Sequence, residues 1–167
     1  ESGPAGWSGQ SPWALSGESV HGGTRAWTDS PSGNYADYRD LSLTSPKIDL
    51  KGDFEPVLVF WARVELEDTW DFLYVEGSGD NGSTWQRLHA LSGTAGWHEE
   101  RVDLSRFADT HNLRLRFRLV SDGAVNAAGC WIDGHRIAGR REHRGGLVFV
   151  EAPRQQVDGT RVDRLGA

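Results

Sequence analysis

Leu113-Arg114-Leu115-Arg116-Phe117-Arg118-Leu119 alternates apolar and basic residues without a break. A period of two sends successive side chains to opposite faces of an extended chain, so this segment reads as a strand with one face in a core. A face of like charges reads as exterior, and its arginines are expected to be solvated. Residues 56–64 are more continuously apolar, which fits a central strand covered on both faces. Further strands are expected at 13–16, 42–50, 71–76, 84–88, 97–104 and 129–137, with one helical turn at 105–108. Long helical periodicity is absent, and short strands punctuated by turn residues point to an all-β, antiparallel sandwich.

Ser78-Gly79-Asp80-Asn81-Gly82-Ser83-Thr84-Trp85 fits the Asp-box pattern S-x-D-x-G-x-T-W. Ser78 and Asp80 can hydrogen-bond nearby backbone and hold a tight turn, and Thr84 begins the return. Gly82 can take positive φ without a Cβ clash. Trp85 is expected to bury its ring under the hairpin. Such a turn is a folding device and not a catalytic signature.

The chain has 167 residues, enough for one domain with its own core. Its formal charge of -6 disfavours a nucleic-acid partner and suits cation binding. Cys130 is the only cysteine, which excludes an intrachain disulfide. No apolar run is long enough for a membrane span, and no signal peptide is visible. The opening at Glu1, without a methionine, reads as a mature product or an excised piece. Residues 1–138 are expected to form the sandwich. Residues 139–167 are expected to hold a basic linker, an additional strand at 147–150 and a C-terminal tail.

Several segments in order carry a family resemblance: 26–35, 43–50, the Asp-box, Trp97, Val102-Asp103-Leu104-Ser105, Arg116-Phe117-Arg118 and Gly129-Cys130-Trp131-Ile132-Asp133. Together they resemble the jelly-roll accessory domain of immune inhibitor A-type secreted bacterial metallopeptidases, with a similar look in MAM-like modules and reelin subrepeats. The resemblance implies a jelly-roll sandwich and an extracytoplasmic location. It departs from the family at Gly134, where a second acidic residue usually follows Asp133, and the chain contains no peptidase domain.

Calcium takes six to eight oxygen ligands from loops. Asp29-Ser30-Pro31-Ser32-Gly33-Asn34 is such a loop, and the resemblance implies an ion where an early loop meets the last strand, which bears Asp133. Asp71 and Asp40 are further candidate ligands. The bland role for all four is capping turns. Trp70, between Thr69 and Asp71, is the candidate ligand contact, whereas Trp27, Trp61, Trp85 and Trp131 read as structural.

Enzyme signatures fail on inspection. Residues 77–82 match G-x-G-x-x-G, but no helix follows and Asp80 would repel a pyrophosphate. His98-Glu99-Glu100 opens like a zinc peptidase motif, but Val102 stands where the second histidine belongs. Glu65 and Glu67 share a strand face, the one spacing that could serve a glycosidase. The expectation is therefore a non-catalytic accessory or adhesive module, secreted or at the cell surface, calcium-stabilised, that contacts protein or glycan. A structural subunit pairing with neighbouring subunits, or a fragment of a secreted hydrolase, are the alternatives.

Overall fold

A computed structural model describes residues 6–143 and 146–151. The strands are β1 (Ser8–Gly9), β2 (Ala14–Ser16), β3 (Ala26–Thr28), β4 (Asp40–Thr44), β5 (Asp53–Glu65), β6 (Phe72–Ser78), β7 (Gln86–Leu91), β8 (Thr94–Asp103), β9 (Arg114–Val120), β10 (Gly129–His143) and β11 (Gly146–Glu151). They form two antiparallel sheets. One has the order β1-β4-β9-β6-β7, and the other β2-β3-β10-β5-β8 with β11 beside β10. From β4 onward the chain crosses repeatedly between the sheets, which makes the sandwich a jelly roll. The expected helical turn is a 3-10 turn, Ser105–Phe107.

Period two builds the core. Leu115, Phe117 and Leu119 of β9 face Leu58, Phe60, Ala62 and Val64 of β5 across the sandwich, with Leu43, Leu73, Val75 and Ile132 around them. Phe60 and Phe117 meet edge to face at 4.9 Å, and Trp7 stacks on Phe117 at 5.4 Å. These rings pin the two sheets together at their centre. Val59, on the opposite face of β5, is also fully buried, as its continuous apolarity implies.

One expectation is corrected. Residues from 139 do not form a linker as far as they are described. β10 runs through Gly139 to His143, and β11 pairs with it in register Ala138↔Glu151 to His143↔Gly146. The strand expected at 147–150 thus belongs to β11, and the expected tail lies outside the described residues. β3 and the two-residue β1 are not anticipated, because their few residues carry no readable alternation.

Phe117→Ala removes the ring shared by Trp7 and Phe60. It is expected to lower unfolding free energy by about 3–5 kcal/mol, read from urea melts followed by tryptophan fluorescence.

Candidate functional site

Directly paired residues of antiparallel strands share a face. By register, the outer face of the five-stranded sheet carries Asp40, Ser42 and Thr44 of β4, Arg114, Arg116 and Arg118 of β9, and Phe72, Tyr74 and Glu76 of β6. Arg87 of β7 joins them opposite Glu76. The described strands all belong to the two sheets, so among the described residues no further sheet covers this face.

The arginines here are not merely solvated. Glu76 is 5% exposed and accepts from Arg116 Nε at 2.5 Å, with Arg118 Nη1 at 3.5 Å. Arg118 also grips Asp40 through Nε and Nη2, both at 2.6 Å. This bidentate pair lowers the Asp40 carboxyl below its ordinary range and raises Arg118 further. Tyr74 stacks with Phe72 at 5.3 Å, and the Arg87 guanidinium lies 3.6 Å from the Tyr74 ring centre. Arg116 lies 4.2 Å from the Trp85 ring centre. Trp85 is half-buried, its ring beside Gly82 of the turn and under the Arg116 guanidinium.

The β6–β7 connection is closed by side chains. Ser78 Oγ accepts from Gly82 N at 2.7 Å and donates to Asp80 Oδ1 at 2.6 Å. Asp80 accepts from Thr84 N at 2.9 Å and Thr84 Oγ1 at 2.7 Å. Those hydroxyl donors, Ser78 first, hold the Asp80 carboxyl far below the usual range. Gly82 has φ 95°, which favours glycine.

A second candidate group of side chains lies at the end of the sandwich where β6 begins and β9 ends. Glu67, Asp71 and Asp122 offer carboxylate oxygens within 4.8 Å of one another. Asp71 is buried and accepts from Tyr35 Oη and from Asp122 N. Burial, then the bond to Asp71, pushes the Tyr35 phenol upward. Glu67 accepts from Val125 N at 3.3 Å. Among the described residues no lysine or arginine pairs with any of the three acids. Trp70, 64% exposed, stands in the same loop as Glu67 and Asp71, while Tyr38 and Val125 are exposed in loops at this end. A cavity of about 150 Å³, lined by residues 29–36 with Pro12, Arg39, Leu41 and Leu119, opens here too.

The four aspartates singled out from the sequence do not converge. Asp71 sits in the acidic group and Asp40 holds Arg118. Asp133 caps His21 N and Gly22 N at 3.0 and 2.9 Å. Asp29 is buried against the start of β10, accepting from Cys130 N at 2.6 Å and from Cys130 Sγ at 3.1 Å. Gly129 (φ 94°) is required there, since a Cβ would collide with the Asp29 carboxylate. Burial raises the Asp29 carboxyl, and burial followed by the Asp29 charge raises the Cys130 thiol. A raised thiol is a poor nucleophile, in keeping with a structural cysteine.

Glu65 and Glu67 do not form a pair. Glu65 ends β5 in an ion pair with Arg63, and Glu67 lies beyond the strand in the acidic group. On the other sheet's outer side, His21 stacks on Trp61 at 3.6 Å, and Arg63 lies 4.7 Å from the Trp131 ring centre. The sequence reading does not anticipate Asp122, or His89 and His98 flanking Glu100 at 3.0 and 3.1 Å. Both groups are assembled by contacts between separate elements.

No protein-family model matches the chain. Over 121 residues it is 31% identical to bacillopeptidase F of Bacillus subtilis (strain 168), a match that covers 72% of this chain and 8% of that protein. The chain thus spans less than a tenth of the relative's length. Among solved structures it resembles the CBM22-1 xylan-binding domain of Paenibacillus barcinonensis Xyn10C (TM-score 0.53, 13% identity, 80% of this chain and 85% of that one). It also resembles the K2 cleaved adhesin domain of Lys-gingipain (TM-score 0.52, 17% identity, 80% and 91%). Identities this low show a common fold.

Glu76→Gln removes the buried charge shared by two guanidiniums and is expected to cost about 1–3 kcal/mol of stability, measured by urea unfolding. Asp29 gives a pH test. Its carboxyl is raised on folding, so its contribution is complete below the unfolded-state value and declines as pH rises through the folded value. Asp29→Asn should flatten that fall in the urea midpoint on the alkaline side of the ordinary carboxylate range, and an unchanged slope would remove Asp29 as its source.

Proposed function

We propose that this chain is a non-catalytic accessory module of a secreted or cell-surface bacterial protein, and that it holds a glycan on the outer face of the five-stranded sheet. The observation that carries this reading is the fixed lattice of rings, guanidiniums and one buried carboxylate on a face that no other described strand covers. Sugars offer adjacent hydroxyls to planar charged groups and C–H faces to aromatic surfaces, which suits a preformed surface of this kind. The fold likeness to a xylan-binding domain and to an adhesin domain supports the reading, as does the match to a short part of bacillopeptidase F, a protein long enough to carry other activities. Calorimetric titration with xylan, galactan and polygalacturonate oligosaccharides tests it. At least one is expected to bind, with Tyr74→Ala weakening it tenfold or more. Binding untouched by Tyr74→Ala and Arg116→Gln would move the site off this face.

The proposal includes a structural calcium ion at Glu67, Asp71 and Asp122. A cation relieves the mutual repulsion of three carboxylates packed this closely, and an all-oxygen set is what calcium prefers. An ion bound only by the folded chain raises its melting temperature. Melting is expected to rise with calcium over chelator, and the rise to shrink in Asp122→Asn. Identical melts in both solutions would remove the ion from the proposal.

A further inference from the structure

Resting on the glycan reading, we infer that the five-stranded face selects an acidic polysaccharide whose carboxylates engage Arg87 and Arg116. The charge on this face is opposite to that of the whole molecule. Its strands present four arginines (87, 114, 116, 118) against two acids (Asp40, Glu76), a balance of 4 − 2 = +2 on a chain of net charge -6.

The four guanidiniums are not equally committed. Arg118 spends its nitrogens on Asp40 and Glu76. Arg114 bonds Asn81 Oδ1 at 2.8 Å and the Ser45 carbonyl at 3.1 Å. Arg116 uses only Nε, on Glu76, so both its Nη groups lack a hydrogen-bond partner among the described residues. Arg87 has its ring contact with Tyr74 and no ion pair among those residues. Two guanidiniums thus sit over aromatic rings with donors to spare. A guanidinium held in this way loses little freedom on binding, and its planar fork matches a carboxylate in two parallel hydrogen bonds.

The aromatic surfaces argue the same way. A neutral sugar stacks best on a bare ring face. Here one face of Tyr74 carries Arg87, with Phe72 stacked on the same ring, and Trp85 carries Arg116. The rings act as supports for cations more than as platforms for uncharged sugars.

The test compares polygalacturonate oligosaccharides with their methyl esters, which keep the backbone and lose the charge. Calorimetric titration is expected to show at least tenfold tighter binding of the acid form. Arg87→Gln, at an exposed position whose folding is checked by melting, should erase most of that difference, as should 0.5 M salt. Equal or tighter binding of the esters, with Tyr74→Ala still disruptive, would overturn the acidic preference and leave the glycan face standing. Tighter binding of a sulfated galactan than of polygalacturonate would overturn the carboxylate assignment. No binding of any of the three would overturn this inference, and if xylan and galactan also fail, the glycan reading falls with it.

Discussion

β9 ties the fold to its surface chemistry. Leu115, Phe117 and Leu119 enter the core at every second position, so Arg114, Arg116 and Arg118 must share the opposite face. Slipping the register by one residue would drive three guanidiniums into the sandwich, which fixes the pairing of β9 with β4 and β6. The same rule lines up three like charges along one strand. Glu76 answers that problem from β6, directly opposite Arg116, and Asp40 answers it from the start of β4. A packing requirement on one side of the strand thus creates an electrostatic requirement on the other.

The core was legible because it depends on local alternation. Residues 56–64 and 113–119 carry their burial pattern in their own order, and the turn at 78–85 carries its hydrogen-bonding groups within eight residues. The outer face was legible only in half. The arginines were visible, but the alternation Phe72, Tyr74, Glu76 in another strand had to be laid beside them in the right register before they became a lattice. The aspartates were less legible still. Asp71 meets Asp122 through a bond spanning 51 positions, and Asp29 meets Cys130 across 101. The end of β10 was hidden for a related reason. Gly139-Arg140-Arg141 has linker composition, and only pairing with β5 on one side and β11 on the other makes it a strand.

Composition alone also misjudges what each aspartate does. Asp80 is exposed, surrounded by hydroxyl and amide donors, and held far into its ionised form. Asp29 receives comparable donors but is buried, and desolvation outweighs them, so its carboxyl shifts the other way. Asp40 is governed by a guanidinium. One residue type thus serves as turn clamp, buried acceptor and ion-pair anchor, and the choice is made by what the fold packs around it.

Charge is distributed with the same economy. The acidic group of Glu67, Asp71 and Asp122 gathers at the loop end of the sandwich, and the surplus arginines gather on the open sheet. A net charge of -6 therefore does not describe the surface that a ligand would meet. Local potential steers encounter more than the total does, especially over low-dielectric walls such as the Phe72, Tyr74 and Trp85 rings. A polyanion approaching from the loop end would be repelled, and one approaching the sheet face would be drawn in. On the proposed reading, the fold thereby orients an acidic glycan before any hydrogen bond forms.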